Sequence, residues 1–122
     1  MKKILLAEDD LFLRDIYVET LHDAGFDITA AADGQEALDH LKKGGWDLVL
    51  LDVVMPKLSG IDVLKKLKDK KPHTLAHHIV FMTNSDEKSE LKEVEDMIDG
   101  FLLKSAFTPD LLVAKIKEYL AK

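Results

Sequence analysis

Cysteine is absent from the 122 residues. That removes disulfides, thiolate zinc sites and cysteine nucleophiles, and it accords with a reducing compartment. No apolar run reaches the roughly 18 residues that a membrane crossing requires. Met1-Lys2-Lys3 leads straight into a short strand-like run and not into a signal-peptide apolar region, so the expected location is cytoplasmic, with no membrane partner. Positive charge is in short supply too: 17 Lys and Arg face 23 Asp and Glu, for a formal net charge of -6. Nucleic-acid phosphates demand a basic surface, so a protein partner is expected and direct nucleic-acid binding is not. Repeats and low-complexity stretches are also missing. What is present is an ordinary globular balance, 47% hydrophobic and 33% charged, in a length that predicts one domain over residues 1–122.

Short apolar runs alternate with longer amphipathic ones, the signature of repeated βα units. Strands are predicted at Lys3 to Ala7, Asp27 to Ala31, Asp47 to Leu51, His78 to Met82 and Gly100 to Leu103. Three of them are continuously apolar (Ile4-Leu5-Leu6, Leu48 to Leu51, Ile79 to Met82), as expected of parallel strands covered on both faces. Helix starts are marked by caps. Asp33-Gly34-Gln35-Glu36 has capping-box spacing, Ser59 to Asp62 is a looser version, and Thr108-Pro109-Asp110 combines a cap, a first-turn proline and an acid on the positive helix end. Leu13, Ile16, Tyr17, Thr20, Leu21 and Ala24 share one face of the first helix, which Gly25 stops. Leu112, Ile116, Tyr119 and Leu120 do the same in the last. The reading is an α/β fold, a doubly wound five-stranded parallel sheet with right-handed crossovers and helices on both faces.

Ligands in such sheets bind beyond the carboxyl ends of the strands. There the first strand ends in Glu8-Asp9-Asp10, the third in Asp52, the fourth in Thr83 and the fifth in Lys104. Carboxylates gathered at one edge repel, and protonation or a cation relieves the repulsion. Magnesium, which is satisfied by one or two carboxylates plus water and phosphate oxygens, is the simplest answer, with Asp9 and Asp52 as donors. Lys104 adds a positive charge and Thr83 a hydroxyl, which together suit the oxygens of a phosphoryl group in transfer. A carboxylate nucleophile forms an acyl phosphate. Singly, each residue reads more readily as solvated or capping, and Asp10 reads as the N-cap of the first helix. Their joint placement after four strands is the informative feature.

Ile4 to Asp10, Leu51-Asp52-Val53-Val54-Met55-Pro56 with Gly60 following, Phe81-Met82-Thr83 and Phe101-Leu102-Leu103-Lys104 together resemble the receiver domains of two-component response regulators, across essentially the whole chain. The Asp-x-x-Met-Pro-x-x-x-Gly stretch is the most specific part. The resemblance implies a flavodoxin-like sheet of order 2-1-3-4-5, with Asp52 as the phosphorylated aspartate. Asp9 would bind magnesium directly, Glu8 through a water, and the Val54 backbone carbonyl would complete the protein ligands. Thr83 and Lys104 would hold the phosphoryl oxygens, and Phe101 would be the aromatic that changes rotamer with Thr83 on activation. It further implies a histidine kinase or histidine phosphotransfer protein as donor, and a downstream protein bound through the fourth helix, fifth strand and fifth helix. A monomer or a weak phosphorylation-dependent dimer is expected. The protein would be no enzyme beyond catalysing its own phosphorylation and slow autodephosphorylation.

Four positions depart from the pattern. Ser105 follows Lys104 where relatives have a proline in a cis peptide, so either strain is retained or the loop takes a trans path. Asn84 replaces a smaller residue and would narrow access to the pocket. Met97 stands where relatives often end the fourth helix on glycine, and a left-handed methionine would cost about 1 to 2 kcal/mol. Val54 cannot position an attacking water through its side chain. The stretch Lys70 to His78 reads as a solvated loop. Among other functions, a flavin carrier is disfavoured because Glu8-Asp9-Asp10 would repel flavin phosphate. A dehalogenase-type phosphatase would place its second carboxylate at Val54, which is no acid or base. A degenerate receiver that only docks proteins is the remaining alternative.

Overall fold

Five apolar runs pair side by side as parallel strands: β1 (Lys3–Ala7), β2 (Asp27–Ala31), β3 (Trp46–Asp52), β4 (Ala76–Thr83) and β5 (Gly100–Leu103), in the order β2-β1-β3-β4-β5. The computed structural model describes residues 1–67, 72–106 and 108–122, and the side chains of these except at 72, 73, 85–88 and 106. Helices α1 (Leu11–Asp23), α2 (Gly34–Lys43), α3 (Gly60–Lys66), α4 (Pro72–Leu75, a single turn) and α5 (Pro109–Leu120) connect or follow the strands, and a 3₁₀ segment spans Ser85–Met97. The predicted caps form. Asp10, Asp33, Ser59 and Thr108 accept from the backbone N–H groups of Leu13, Glu36, Asp62 and Leu111, which satisfies donors that the first helical turn leaves unpaired. Gly25 takes φ 95° after α1, a conformation open to glycine at little cost.

The sheet splits the core by strand alternation. Leu5, Val49, Leu51, Ile79 and Phe81 face α2, α3 and the 3₁₀ segment, whereas Ile4, Leu6, Leu48, Leu50, Val80 and Met82 face α1 and α5. Both faces of the central strands are therefore dry, which is why they carry no polar alternation.

Four strand boundaries differ from the sequence reading. β3 starts at Trp46 and runs through Asp52, and β4 runs from Ala76 through Thr83, because the ladder continues from Trp46↔Ala76 to Asp52↔Met82 and Thr83↔Leu103. Asp52 and Thr83 are thus the last paired residues of their strands, held by the ladder. The stretch expected as a loop is helical turn at Pro72–Leu75 and strand from Ala76, with 68–71 outside the described residues. The expected fourth helix is the 3₁₀ segment. Its buried Leu91 and Val94 and the partly buried Met97 recur at every third position, which aligns them on one face when the repeat is three residues per turn. Met97 is not left-handed, since Lys57 alone among the described non-glycine residues has positive φ.

Gly60 fixes the approach of α3 to the end of β3. Its N–H donates to the Val53 carbonyl at 2.9 Å, and a Cβ there would collide with the Asp52 carbonyl oxygen and the Phe81 ring. Both obstacles are backbone or buried. Gly60→Ala is accordingly expected to destabilise the domain by about 1 to 3 kcal/mol, the usual range for overpacking. A urea denaturation midpoint equal to that of the unaltered chain would refute this account.

Candidate functional site

The register brings the strand ends to one edge, where Glu8, Asp9, Asp52 and Lys104 line a cleft of about 260 Å³ with Val54 and Asn84 also on its wall. Glu8 and Asp52 are 1% and 3% exposed, far below what isolated carboxylates tolerate. Lys104 supplies the compensation. Its Nζ donates to Asp52 Oδ2 at 2.6 Å and lies 2.8 Å from Glu8 Oε2. Two buried acids nevertheless share one ammonium. Burial pushes the Asp52 carboxyl up to about 7, against the Lys104 hydrogen bond and with the Glu8 charge adding to the rise. Burial works against the charge of Lys104, but its hydrogen bond to Asp52 and its closeness to the Glu8 carboxylate outweigh this and raise its pKa.

One carboxylate oxygen each from Glu8, Asp9 and Asp52 lies within 4.8 Å of the others. Glu8 Oε1 accepts from the Asp10 N–H at 3.3 Å, whereas the buried Oε2 has no aligned hydrogen bond although the Lys104 ammonium sits beside it. The ion pair is close, but its geometry leaves lone-pair capacity on that oxygen. Three hard carboxylate oxygens this close together fit a divalent cation such as magnesium. The Val54 carbonyl accepts no backbone hydrogen bond among the described residues, and Val54 is 58% exposed.

Thr83 and Phe101 sit differently. Thr83 is fully buried, and its hydroxyl donates to the Asn84 carbonyl at 2.9 Å instead of lining the cleft. Phe101 pairs in register with Phe81 but is 38% exposed, so its ring is not a core ring. The Lys104–Ser105 peptide is trans, as no cis bond occurs among the described residues. Lys104 reaches both acids all the same, because the end of β5 and not the following peptide sets its position.

Two residues near the site were not singled out from the sequence. Arg14, the chain's single arginine, donates from Nη1 to the Glu8 carbonyl at 3.0 Å. Tyr17 is buried one turn further along α1, where burial and then the Glu8 charge push its hydroxyl up. The periodic apolar face of α1 flagged Tyr17 only as core, and nothing in the spacing of Arg14 distinguishes it from a solvated cation.

The fold is shared with known proteins. The model of the response regulator receiver domain matches residues 4–117, so the chain belongs to that family. It is 38% identical over 122 residues to the transcriptional regulatory protein CpxR of Escherichia coli (strain K12), covering 100% of this chain and 50% of that protein. It is 34% identical over 122 residues to the alkaline phosphatase synthesis transcriptional regulatory protein PhoP of Bacillus subtilis (strain 168), covering 99% and 49%. The chain thus spans about half the length of these curated relatives. Among solved structures it is similar to the response regulator TrrA of Thermotoga maritima, crystallised in complex with Mg(2+)-BeF, with TM-score 0.81, 34% identity and coverage of 97% and 98%. No helix among the described residues is long and apolar enough to cross a membrane.

Proposed function

We propose that this receiver domain accepts a phosphoryl group on Asp52 from the phosphohistidine of a histidine kinase or histidine phosphotransfer protein. The carrying observation is the buried Asp52 carboxylate held at 2.6 Å by Lys104 beside Glu8 and Asp9. An Asp52 oxygen attacks phosphorus, the donor's P–N bond breaks, and the departing imidazole takes up a proton. Glu8, Asp9, Asp52 and the Val54 carbonyl would hold magnesium, with Glu8 acting through a water. The bound ion supplies charge neutralisation at the phosphoryl oxygens. Lys104 pairs with another of those oxygens, which requires it to release Asp52 Oδ2 as the acyl phosphate forms.

The Thr83 hydroxyl, once turned from the Asn84 carbonyl to the phosphoryl group, vacates space into which the half-exposed Phe101 ring moves. The altered surface is that of the Ser85–Met97 segment, β5 and α5, where a downstream protein docks. The chemistry is confined to the domain's own phosphorylation and slow loss of the group. The slowness has a local source. Val54 stands at the cleft with an apolar side chain that cannot orient water. Val54→Asn is expected to shorten the phosphoryl lifetime several-fold, read by the decay of the phosphorylated mass, and an unchanged lifetime would contradict this role.

The test of the whole reading is intact mass after incubation with acetyl phosphate, with and without magnesium, for the native chain and Asp52→Asn. The reading expects one phosphoryl group gained by the native chain, only with magnesium, and none by the variant. Failure with acetyl phosphate and with a histidine-phosphorylated donor would leave a docking module that is never phosphorylated.

A further inference from the structure

Arg14 serves neither the hydrophobic core nor any ion pair found among the described residues, yet its guanidinium is spent on one backbone oxygen. Nη1 donates to the Glu8 carbonyl at 3.0 Å. That carbonyl belongs to the peptide whose N–H is that of Asp9, so its direction sets the plane from which the Asp9 side chain leaves the chain. The same turn is held at other points. Glu8 N–H donates to the Ala31 carbonyl at 3.1 Å, the Asp10 N–H donates to Glu8 Oε1 at 3.3 Å, and the Arg14 N–H donates to the Asp10 carbonyl at 2.8 Å. The sheet anchors one side of Glu8, and α1 reaches back through Arg14 to anchor the other.

We infer that Arg14 is a positioning residue for divalent-cation binding: its bond to the Glu8 carbonyl fixes the Glu8–Asp9 peptide so that both carboxylates converge on Asp52. The inference rests on the metal site of the proposed function. Positioning and simple charge make opposite demands. A positive charge near the cleft repels magnesium, so an Arg14 that acted only through its charge would weaken binding, and its removal would tighten it. An Arg14 that orients the peptide strengthens binding, and groups that orient metal ligands typically contribute about 10- to 100-fold in affinity.

Magnesium affinity measured by titration calorimetry on the native chain, Arg14→Met and Arg14→Lys separates these, with melting of each protein in EDTA as the measure of the fold. Binding about 10-fold weaker in Arg14→Met is expected, near the low end of that range because the contact is to backbone. Arg14→Lys should recover part of the loss, since an ammonium can still donate one bond to the Glu8 carbonyl. Both should keep their metal-free melting temperatures to within a few degrees. Affinity unchanged or tighter in both variants, with native binding intact, overturns the positioning role and leaves the site assignment standing. Weakening in step with a collapse of the metal-free melting temperature in both variants overturns it as well, in favour of a purely structural contact. No binding to the native chain would overturn the site assignment and this inference together.

Discussion

Lys104→Met is expected to slow phosphoryl transfer from acetyl phosphate to Asp52 by about 100-fold in saturating magnesium, the range seen when one preorganised charge-stabilising donor is removed. Methionine nearly matches the volume of the lysine stem, so the change deletes the ammonium with little change in packing. That ammonium lies 2.6 Å from Asp52 Oδ2 and 2.8 Å from Glu8 Oε2, where charge developing on the phosphoryl oxygens would meet it. The same substitution leaves two buried carboxylates without their cation. Breaking a buried pair costs about 3 to 5 kcal/mol, so the variant should unfold markedly earlier in EDTA and regain much of that difference with magnesium. A time course of intact mass gives the rate and thermal melting gives the stability. A transfer rate within about three-fold of native would show that Lys104 only neutralises the resting site.

Asp52→Asn is expected to stabilise the metal-free protein at pH 8 and to leave it nearly unchanged at pH 4. Burial first, with Glu8 adding, raises the Asp52 carboxyl to about 7 from the ordinary value of 3.8. Between those values the folded state binds more protons than the unfolded chain. Stability therefore falls as pH rises from about 4 to about 7, and the full penalty persists above that window. One pKa unit corresponds to about 1.36 kcal/mol, so a carboxyl shifted this far carries a penalty of about 4 kcal/mol at most. That penalty is already net of the Lys104 bond, and since an amide does not reproduce every contact of the carboxyl it replaces, a gain of about 1 to 3 kcal/mol at pH 8 is expected. Paired melts in EDTA at the two pH values measure it. A variant less stable than native at pH 8 would mean that the Lys104 pair outweighs the burial of charge.

Much of the site was legible because its residues end strands, and strand ends are easy to find in continuous apolar runs. Ile4 to Leu6, Leu48 to Leu51 and Ile79 to Met82 announced the central strands, and the polar residues after them announced the edge. The caps at Asp10, Asp33, Ser59 and Thr108 were equally legible, since a cap is a local bond between neighbours in sequence. Less legible was anything decided by contact across the chain. The extension of β4 back to Ala76 depends on its pairing with Trp46, and the 3₁₀ winding of Ser85–Met97 depends on where Leu91 and Val94 meet the sheet. The direction of the Thr83 hydroxyl, toward the Asn84 carbonyl, is a rotamer choice that no pattern records.

The sequence by itself determined the alternation of strands and helices, the starts of the capped helices and which chemical groups stand at the carboxyl ends of β1, β3, β4 and β5, because periodicity, capping and chain order are local properties. Only the tertiary structure decided that Lys104 bridges Asp52 and Glu8, that a Glu8 oxygen is left without an aligned partner, and that Arg14 grips the Glu8 carbonyl. Asp52 and Lys104 stand 52 residues apart. Their charges acquire a strong mutual effect only when the sheet closes that distance and removes the water between them, and no pattern of neighbouring residues encodes either event.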